Sequence, residues 1–148
     1  MAENNGMPRE VLEQIIQVTP YAKWVGAKLI GYREGEVSLE VPLKKELTQH
    51  HGFAHGAVVS FVADSANAWA AASVAGDVVT SEYKLNLLAP GVGDKLVGRG
   101  YVLKSSARQV VTRADVFAVK DGQEKFIATS LATIAVFKAQ TAPDQKRA

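Results

Sequence analysis

Residues 49–75 read QHHGFAHGAVVSFVADSANAWAAASVA, and this stretch decides the fold. Gln49 to Gly56 is polar and broken by glycines. From Ala57 to Ala75 there is neither Gly nor Pro, and Ala and Val dominate. A glycine-punctuated loop entering such a segment predicts a loop feeding a helix N-terminus. About 18 residues at 1.5 Å each make a helix roughly 27 Å long. A helix apolar nearly all round must be wrapped by the rest of the chain. Asp64 is its one acid, and a carboxylate there is costly unless paired or used. Gly56 to Gly76 has the length of a membrane span. Asp64, Ser60, Ser65, Asn67 and Ser73, with no Leu or Ile, argue instead for a buried core helix.

Working outward, residues 1–7 are polar and expected to be flexible. Pro8 can open a helix. Val11, Leu12, Ile15 and Ile16 share one face of a short helix ending near Val18, where Thr19-Pro20 stops it. Tyr21 to Trp24 reads as a further turn. Ala27–Tyr32 and Glu36–Val41 read as strands turning at Gly35, the second alternating strictly. Beyond the long helix, Val78–Leu88, Lys95–Lys104, Gln109–Val119 and Phe126–Phe137 read as four strands. In the third of these, Val111, Ala114, Val116 and Ala118 are set against Thr112, Arg113 and Asp115. Gly98 and Gly100 inside a strand signal a bulge or a close backbone approach. Asp121-Gly122 marks a hairpin. Short connections predict an antiparallel meander for the last four strands. The class is α+β: a long central helix wrapped by a curved, mainly antiparallel sheet of about six strands. One domain over 8–138 is expected, with a flexible polar tail at 139–148.

Composition removes several functions. The chain has 148 residues, 47% apolar and 22% charged, ordinary for one globular domain. A net charge of +2 with dispersed cations gives no nucleic-acid footprint. With no cysteine there is no disulfide, thiolate metal site or Cys nucleophile. No apolar leader is seen near the N-terminus, so the cytoplasm is the expected compartment, with no membrane partner.

Element order and the central stretch resemble the hotdog-fold acyl-CoA thioesterases, in their PaaI-like (phenylacetate-degradation-type) branch. That branch carries Asn or Gln, two residues, Gly, two residues, His-Gly-Gly, then an acid nine residues after the His. Here the run is Gln49, Gly52, His55-Gly56-Ala57 and Asp64. Leu88-Ala89-Pro90-Gly91 resembles the branch's turn after its third strand. The likeness runs from about Pro20 to Phe137. Ala57 replaces the second Gly at a position expected to be helical, where Ala is the better helix former. Gln49 replaces the commoner Asn, as in related 4-hydroxybenzoyl-CoA thioesterases. The resemblance implies acyl-CoA as substrate, no cofactor, and a homodimer with sites at its interface, usually paired into a tetramer.

Thioester hydrolysis needs an oxyanion donor, a nucleophile or base, and something to orient water or carbonyl. Gly56 can offer a backbone N–H backed by the helix dipole. Asp64 would attack or activate water, and Gln49 would hydrogen-bond thioester or water. Gly56 and Asp64 are eight residues apart, or about 12 Å of helix rise. A reacting carbon must lie about 3 Å from both, so Asp64 should work with Gly56 and Gln49 of a partner subunit in a two-fold dimer. The resemblance adds an assisting hydroxyl from the partner strand, Thr80 in preference to Ser81. Arg108 and Arg113 are candidates for the CoA phosphates. Gly52 and Ala57 are expected to line the substrate site.

The same residues bear other readings. His51 and His55 have the i, i+4 spacing of a zinc pair, but no HExxH glutamate is present and Gly52 interrupts the helix. His55 reads better as a brace of the active-site loop, and its catalytic reading is the lesser one, as a general base. Gly91-Val92-Gly93 lacks a following helix, so it is no dinucleotide fingerprint. Ser60, Ser65 and Ser73 lack a G-x-S-x-G setting. Two other functions remain: an enoyl-thioester hydratase on the same fold, whose His–acid motif is not found here, and a non-catalytic acyl-CoA-binding module. A binder needs no acid aimed at the carbonyl.

Overall fold

The structure is a computed structural model that describes residues 5–138. Residues 1–4 and the tail 139–148, both expected to be flexible, lie outside the described residues. The elements are α1 (Arg9–Val18), α2 (Pro20–Val25), β1 (Lys28–Arg33), β2 (Glu36–Pro42), a 3₁₀ turn (Lys45–Leu47), α3 (Gly56–Ala75), β3 (Val78–Leu87), β4 (Lys95–Ser105), β5 (Gln109–Lys120) and β6 (Gln123–Val136). The strands form one sheet in the order β1-β2-β4-β5-β6-β3. Every pairing is antiparallel.

Helix α3 packs on β2, β3, β4, β5 and β6. Five strands about 4.8 Å apart span roughly 19 Å. A helix with its side chains is only about 10–12 Å wide. Contact with all five therefore requires the sheet to curl around the helix. Val58, Val62, Ala63 and Ala66 of α3 meet Leu39, Leu96, Ala114, Val116 and Ala128 in the main core. The helix passes the length and composition test for a membrane span, yet 61% of its apolar window is buried inside this fold.

The two strand glycines mark a close backbone approach. A Cβ on Gly98 would stand 2.6 Å from Val62 Cγ1, and one on Gly100 would stand 1.9 Å from the Ala66 carbonyl oxygen. Only hydrogen-bearing Cα atoms let α3 lie this near β4. A buried polar clasp lies nearby. Asn67 is fully buried, donates from Nδ2 to Ser130 Oγ (3.1 Å) and accepts from Thr112 Oγ1 (2.8 Å). One helical amide thereby ties α3 to β5 and β6 with both ends satisfied.

Three sequence expectations need correction. The last four strands are not one meander: β4, β5 and β6 are consecutive neighbours, but β3 lies at the far edge against β6. The place beside β4 belongs to β2, and residues 88–94 carry the chain across the strand ends. That link is held by Leu88 N–H to Ile127 O, Ala54 N–H to Gly91 O and Asp94 N–H to Val119 O. On β5, Thr112 faces inward with Val110, Ala114 and Val116, and Val111 faces outward, because the hydroxyl has Asn67 to bond. On α1, Leu12 and Ile16 are buried against α2 and β1, whereas Val11 and Ile15 are exposed. Met7 is held in place: its N–H donates to Ala72 O at 2.8 Å, and its carbonyl accepts from the Tyr32 hydroxyl.

Replacement of Gly100 by Ala should cost about 3 kcal/mol, the upper end of overpacking penalties, because the obstructing atom is helix backbone and cannot rotate away. Urea unfolding followed by far-UV circular dichroism checks this. A loss below 1 kcal/mol would mean that α3 does not sit as described.

Candidate active site

The loop before α3 folds back on itself. Gln49 N–H donates to Phe53 O (2.9 Å), Gly52 N–H to Gln49 O (2.9 Å), and His55 N–H to Leu47 O (2.9 Å). Gly52 takes φ +83°, the left-handed region that glycine enters without strain. The Gln49 side chain accepts from His51 N–H. The loop thus delivers the chain to Gly56 with its first turn already organised.

Four N–H groups at a helix start have no helical acceptor behind them or only the cap residue. Ala57 N–H is taken by His55 Nδ1 at 2.9 Å. Val58 and Val59 N–H both go to His55 O. Among the described residues, Gly56 N–H alone in this turn has no partner. It stands at the positive end of a 20-residue helix. A Cβ built on Gly56 would meet only Leu87 Cδ1, at 3.9 Å. The amide therefore borders open space: a cavity of about 420 Å³ lined by Gln49, Phe53, Gly56, Val59, Leu87 and Pro90, among others.

Asp64 lies two turns further along, half-buried, and its Oδ1 accepts from Thr80 Oγ1 at 2.7 Å. One turn before it, Ser60 Oγ meets Tyr83 Oη. Gly56, Ser60 and Asp64 recur every four residues, so they form one stripe of α3. Their β3 counterparts are Leu87, Tyr83 and Thr80. A three-rung seam joins the helix to the edge strand. It has an unpaired amide at one end and a carboxylate at the other.

The sequence-derived residues divide accordingly. Gln49 and Gly56 share the cavity; Asp64 and Thr80 are bonded to each other outside it. Within the chain the hydroxyl on Asp64 is that of Thr80. Ser81 is the extra residue of a β-bulge between Thr80 and Glu82 and is exposed. His55 caps α3 and borders a neighbouring depression with Tyr21, Trp24 and Leu47. Ala57 borders the same depression, and Gly52 lines neither hollow. Arg113 is not brought to this site. It stands on the outer sheet face, opposite α3, and its Nη2 lies 2.9 Å from Asp115 Oδ2. Arg108 is exposed in the turn before β5 and has no ion pair among the described residues. Nor do any three His, Asp or Glu side chains among them form a metal-binding group. The shifted ionisations lie elsewhere. A hydrogen bond from Arg99 holds Glu124 below the usual carboxylate range on the outer face, and burial raises Tyr32.

Tyr83 was missed in the sequence. It is 23 residues from Ser60, and no local period links them. The bulge at Ser81 turns Tyr83 to the same inner face as Thr80, although their odd spacing alone would put them on opposite faces.

One long helix wrapped by a curled antiparallel sheet is the architecture of the hotdog fold, and likeness to known thioesterases makes the chain a thioester hydrolase. The thioesterase superfamily model matches residues 51–125, and the chain belongs to that superfamily. A thioesterase family protein from Silicibacter pomeroyi has the same fold, with TM-score 0.80 and 36% identity over 82% of this chain and 92% of that one. The Escherichia coli PaaI protein of the phenylacetic acid degradation operon superposes with TM-score 0.78 at 23% identity, covering 86% and 91% of the two chains. A Saccharolobus solfataricus protein named as a candidate esterase is 29% identical over 119 residues, 78% of this chain and 84% of that one.

Removing the hydroxyl from Asp64 tests the seam. Thr80→Val keeps the shape but takes away the donor, so the carboxylate is no longer held. Steady-state thioester hydrolysis should show kcat lowered by about ten- to a hundredfold, with the melting temperature within a few degrees. An unchanged kcat would remove Thr80 from the site.

Proposed function

We propose that the protein is an acyl-CoA thioesterase acting as a two-fold dimer, with Gly56 of one subunit and Asp64 of the partner subunit serving the same reacting carbon. The observation that carries the reading is the Gly56 amide at the start of α3, the one in that turn without a partner among the described residues. Its neighbours' N–H groups are occupied, and it borders a cavity that also receives Gln49. Asp64 of the same chain stands too far along the helix to reach a carbonyl there: about 12 Å of rise separates the two. Among the described residues no strand lies on the edge of β3 away from β6, and Val79 and Leu87 on it are 52% and 61% exposed. A second copy seated along that edge supplies the missing carboxylate. The dimer of dimers and the cytoplasmic setting belong to this same reading.

In the reaction the carbonyl oxygen of the thioester points at Gly56 N–H, which stabilises the negative charge as the carbon becomes tetrahedral. Gln49 orients the thioester or the water. Asp64 either takes a proton from an attacking water or attacks the carbon itself, giving an anhydride that water then opens. In both routes the C–S bond breaks, the sulfur leaves as the thiolate of CoA and takes up a proton, and the acid is released. The apolar wall of Phe53, Val59, Leu87, Leu88 and Ile127 suits an aryl or medium-chain acyl group. The origin of the Escherichia coli relative in a phenylacetic acid operon supports the aryl option. Arg108, exposed and without an ion pair among the described residues, is the cation we assign to the CoA phosphates.

Release of CoA from a panel of aryl, short, medium and long acyl-CoAs, with the wild type beside Asp64→Asn, tests this directly. Hydrolysis of some members, lowered at least about a hundredfold in the variant, is the expected result. A folded, dimeric wild type that releases nothing would overturn the enzyme in favour of an acyl-CoA-binding module. Undiminished release by the variant would mean that another acid does the work.

A further inference from the structure

We infer that Ser60 and Tyr83 lie on the two-fold axis of the dimer, midway between its two active sites, where their hydroxyls hold the two half-sites in register. The inference rests on the interface reading above and adds a specific register to it.

Two independent lines lead to the same residues. The first is catalytic spacing. If Gly56 of each subunit meets Asp64 of the partner subunit, antiparallel helices related by a two-fold axis must cross it halfway between 56 and 64, at Ser60. Ser60 is the residue whose hydroxyl meets Tyr83, and the outer rungs of the seam, Thr80 and Leu87, centre on the same part of β3.

The second line is charge on the open edge. Residues directly opposite in an antiparallel pair point to the same face. A symmetric pair of β3 strands must therefore be centred on a residue that faces its own copy. Past the bulge, Glu82, Lys84 and Asn86 face outward and Tyr83, Leu85 and Leu87 inward, as their β6 partners define. Centring on residue 82 sets two glutamates opposite each other, and centring on 84 sets two lysines opposite each other. Both are destabilising. Centring on Tyr83 sets Glu82 of each strand against Lys84 of the other, giving two attractive pairs. Glu82 and Lys84 are both exposed, and Lys84 has no ion pair among the described residues.

In this register the two Ser60–Tyr83 pairs come together beneath the joined strands. Each ties its helix to the strand that forms the interface. A shift of either pair slides Gly56 of one subunit relative to the partner's Asp64, at both sites at once. They are positioning residues and touch no substrate.

The chain contains no cysteine, so introduced thiols report the register without background. Cross-strand neighbours have Cβ atoms about 4.5–5.5 Å apart, and diagonal ones are about 7–8 Å apart. A disulfide needs the closer pair. The double variant E82C/K84C, mildly oxidised and run on a non-reducing gel, should become a covalent dimer, while E82C and K84C alone should not. Cross-linking by K84C alone would move the axis to residue 84, by E82C alone to residue 82. Either result, or no cross-link in the double variant, overturns the proposal.

Tyr83→Phe then tests positioning. Placed in the double-cysteine chain it should still cross-link, and in the native chain kcat should fall about tenfold with KM within twofold and the melting temperature unchanged. An unchanged kcat would overturn the positioning role. A wild type that hydrolyses no thioester, yet cross-links in this pattern, would fail the function and uphold the axis. Hydrolysis with a different pattern would do the reverse.

Discussion

The contact on which the rest depends is the approach of α3 to β4 at Gly98 and Gly100. A side chain at either position would collide with the helix, at Gly100 with its backbone. Because the helix can lie this close, one helix reaches five strands and the sheet can curl around it. The high alanine content of α3 serves the same end. Ala63, Ala66, Ala70 and Ala71 are fully buried and take little room, so backbone meets backbone across the core. Asn67 then fixes the rotation of the helix, since only one orientation satisfies its amide with Thr112 and Ser130.

That rotation decides where the chemistry can be. With Asn67 turned to the sheet, the stripe of Gly56, Ser60 and Asp64 turns to β3, which among the described residues is the edge strand against α3. The seam is polar where the core is apolar, and each of its hydroxyls is matched: Thr80 to Asp64, Tyr83 to Ser60. Gly56 departs from this pattern of satisfied groups. Among the described residues its N–H is the one donor in the first turn without a partner, because His55 serves as cap for the others with both its side chain and its carbonyl. A helix start with three occupied amides and one free amide is a selective place for a developing negative charge.

Much of this was legible in the chain. The loop-to-helix boundary at Gly56, the length of α3 and the strand boundaries within a residue or two for most elements follow from local rules of turn chemistry and periodicity, and the glycines at 98 and 100 narrowed to a bulge or a close approach, of which the structure shows the second. The spacing of Gly56 and Asp64 was legible too, because helix rise converts sequence separation into distance. What escaped was long-range. No local signal says that β3 leaves β4 for the far edge, since strand order depends on which neighbours the other strands have already taken. Thr112 was assigned to the outer face because polarity stood in for direction; its partner Asn67 is 45 residues away. Arg113 is the exception: its partner Asp115 lies two residues on, on the same face of β5, so the ion pair was a local signal that the reading of Arg113 as a free cation passed over.

The helix, its glycine-led start, its solitary acid and the alternating strands can be read from the chain, because each depends on residues within one or two turns. Which hydroxyl meets that acid, which strand lies at the edge beside α3 and which amide is left without a partner among the described residues emerge with the packed fold. Those outcomes depend on groups brought together from distant parts of the chain, after the backbone has closed around α3.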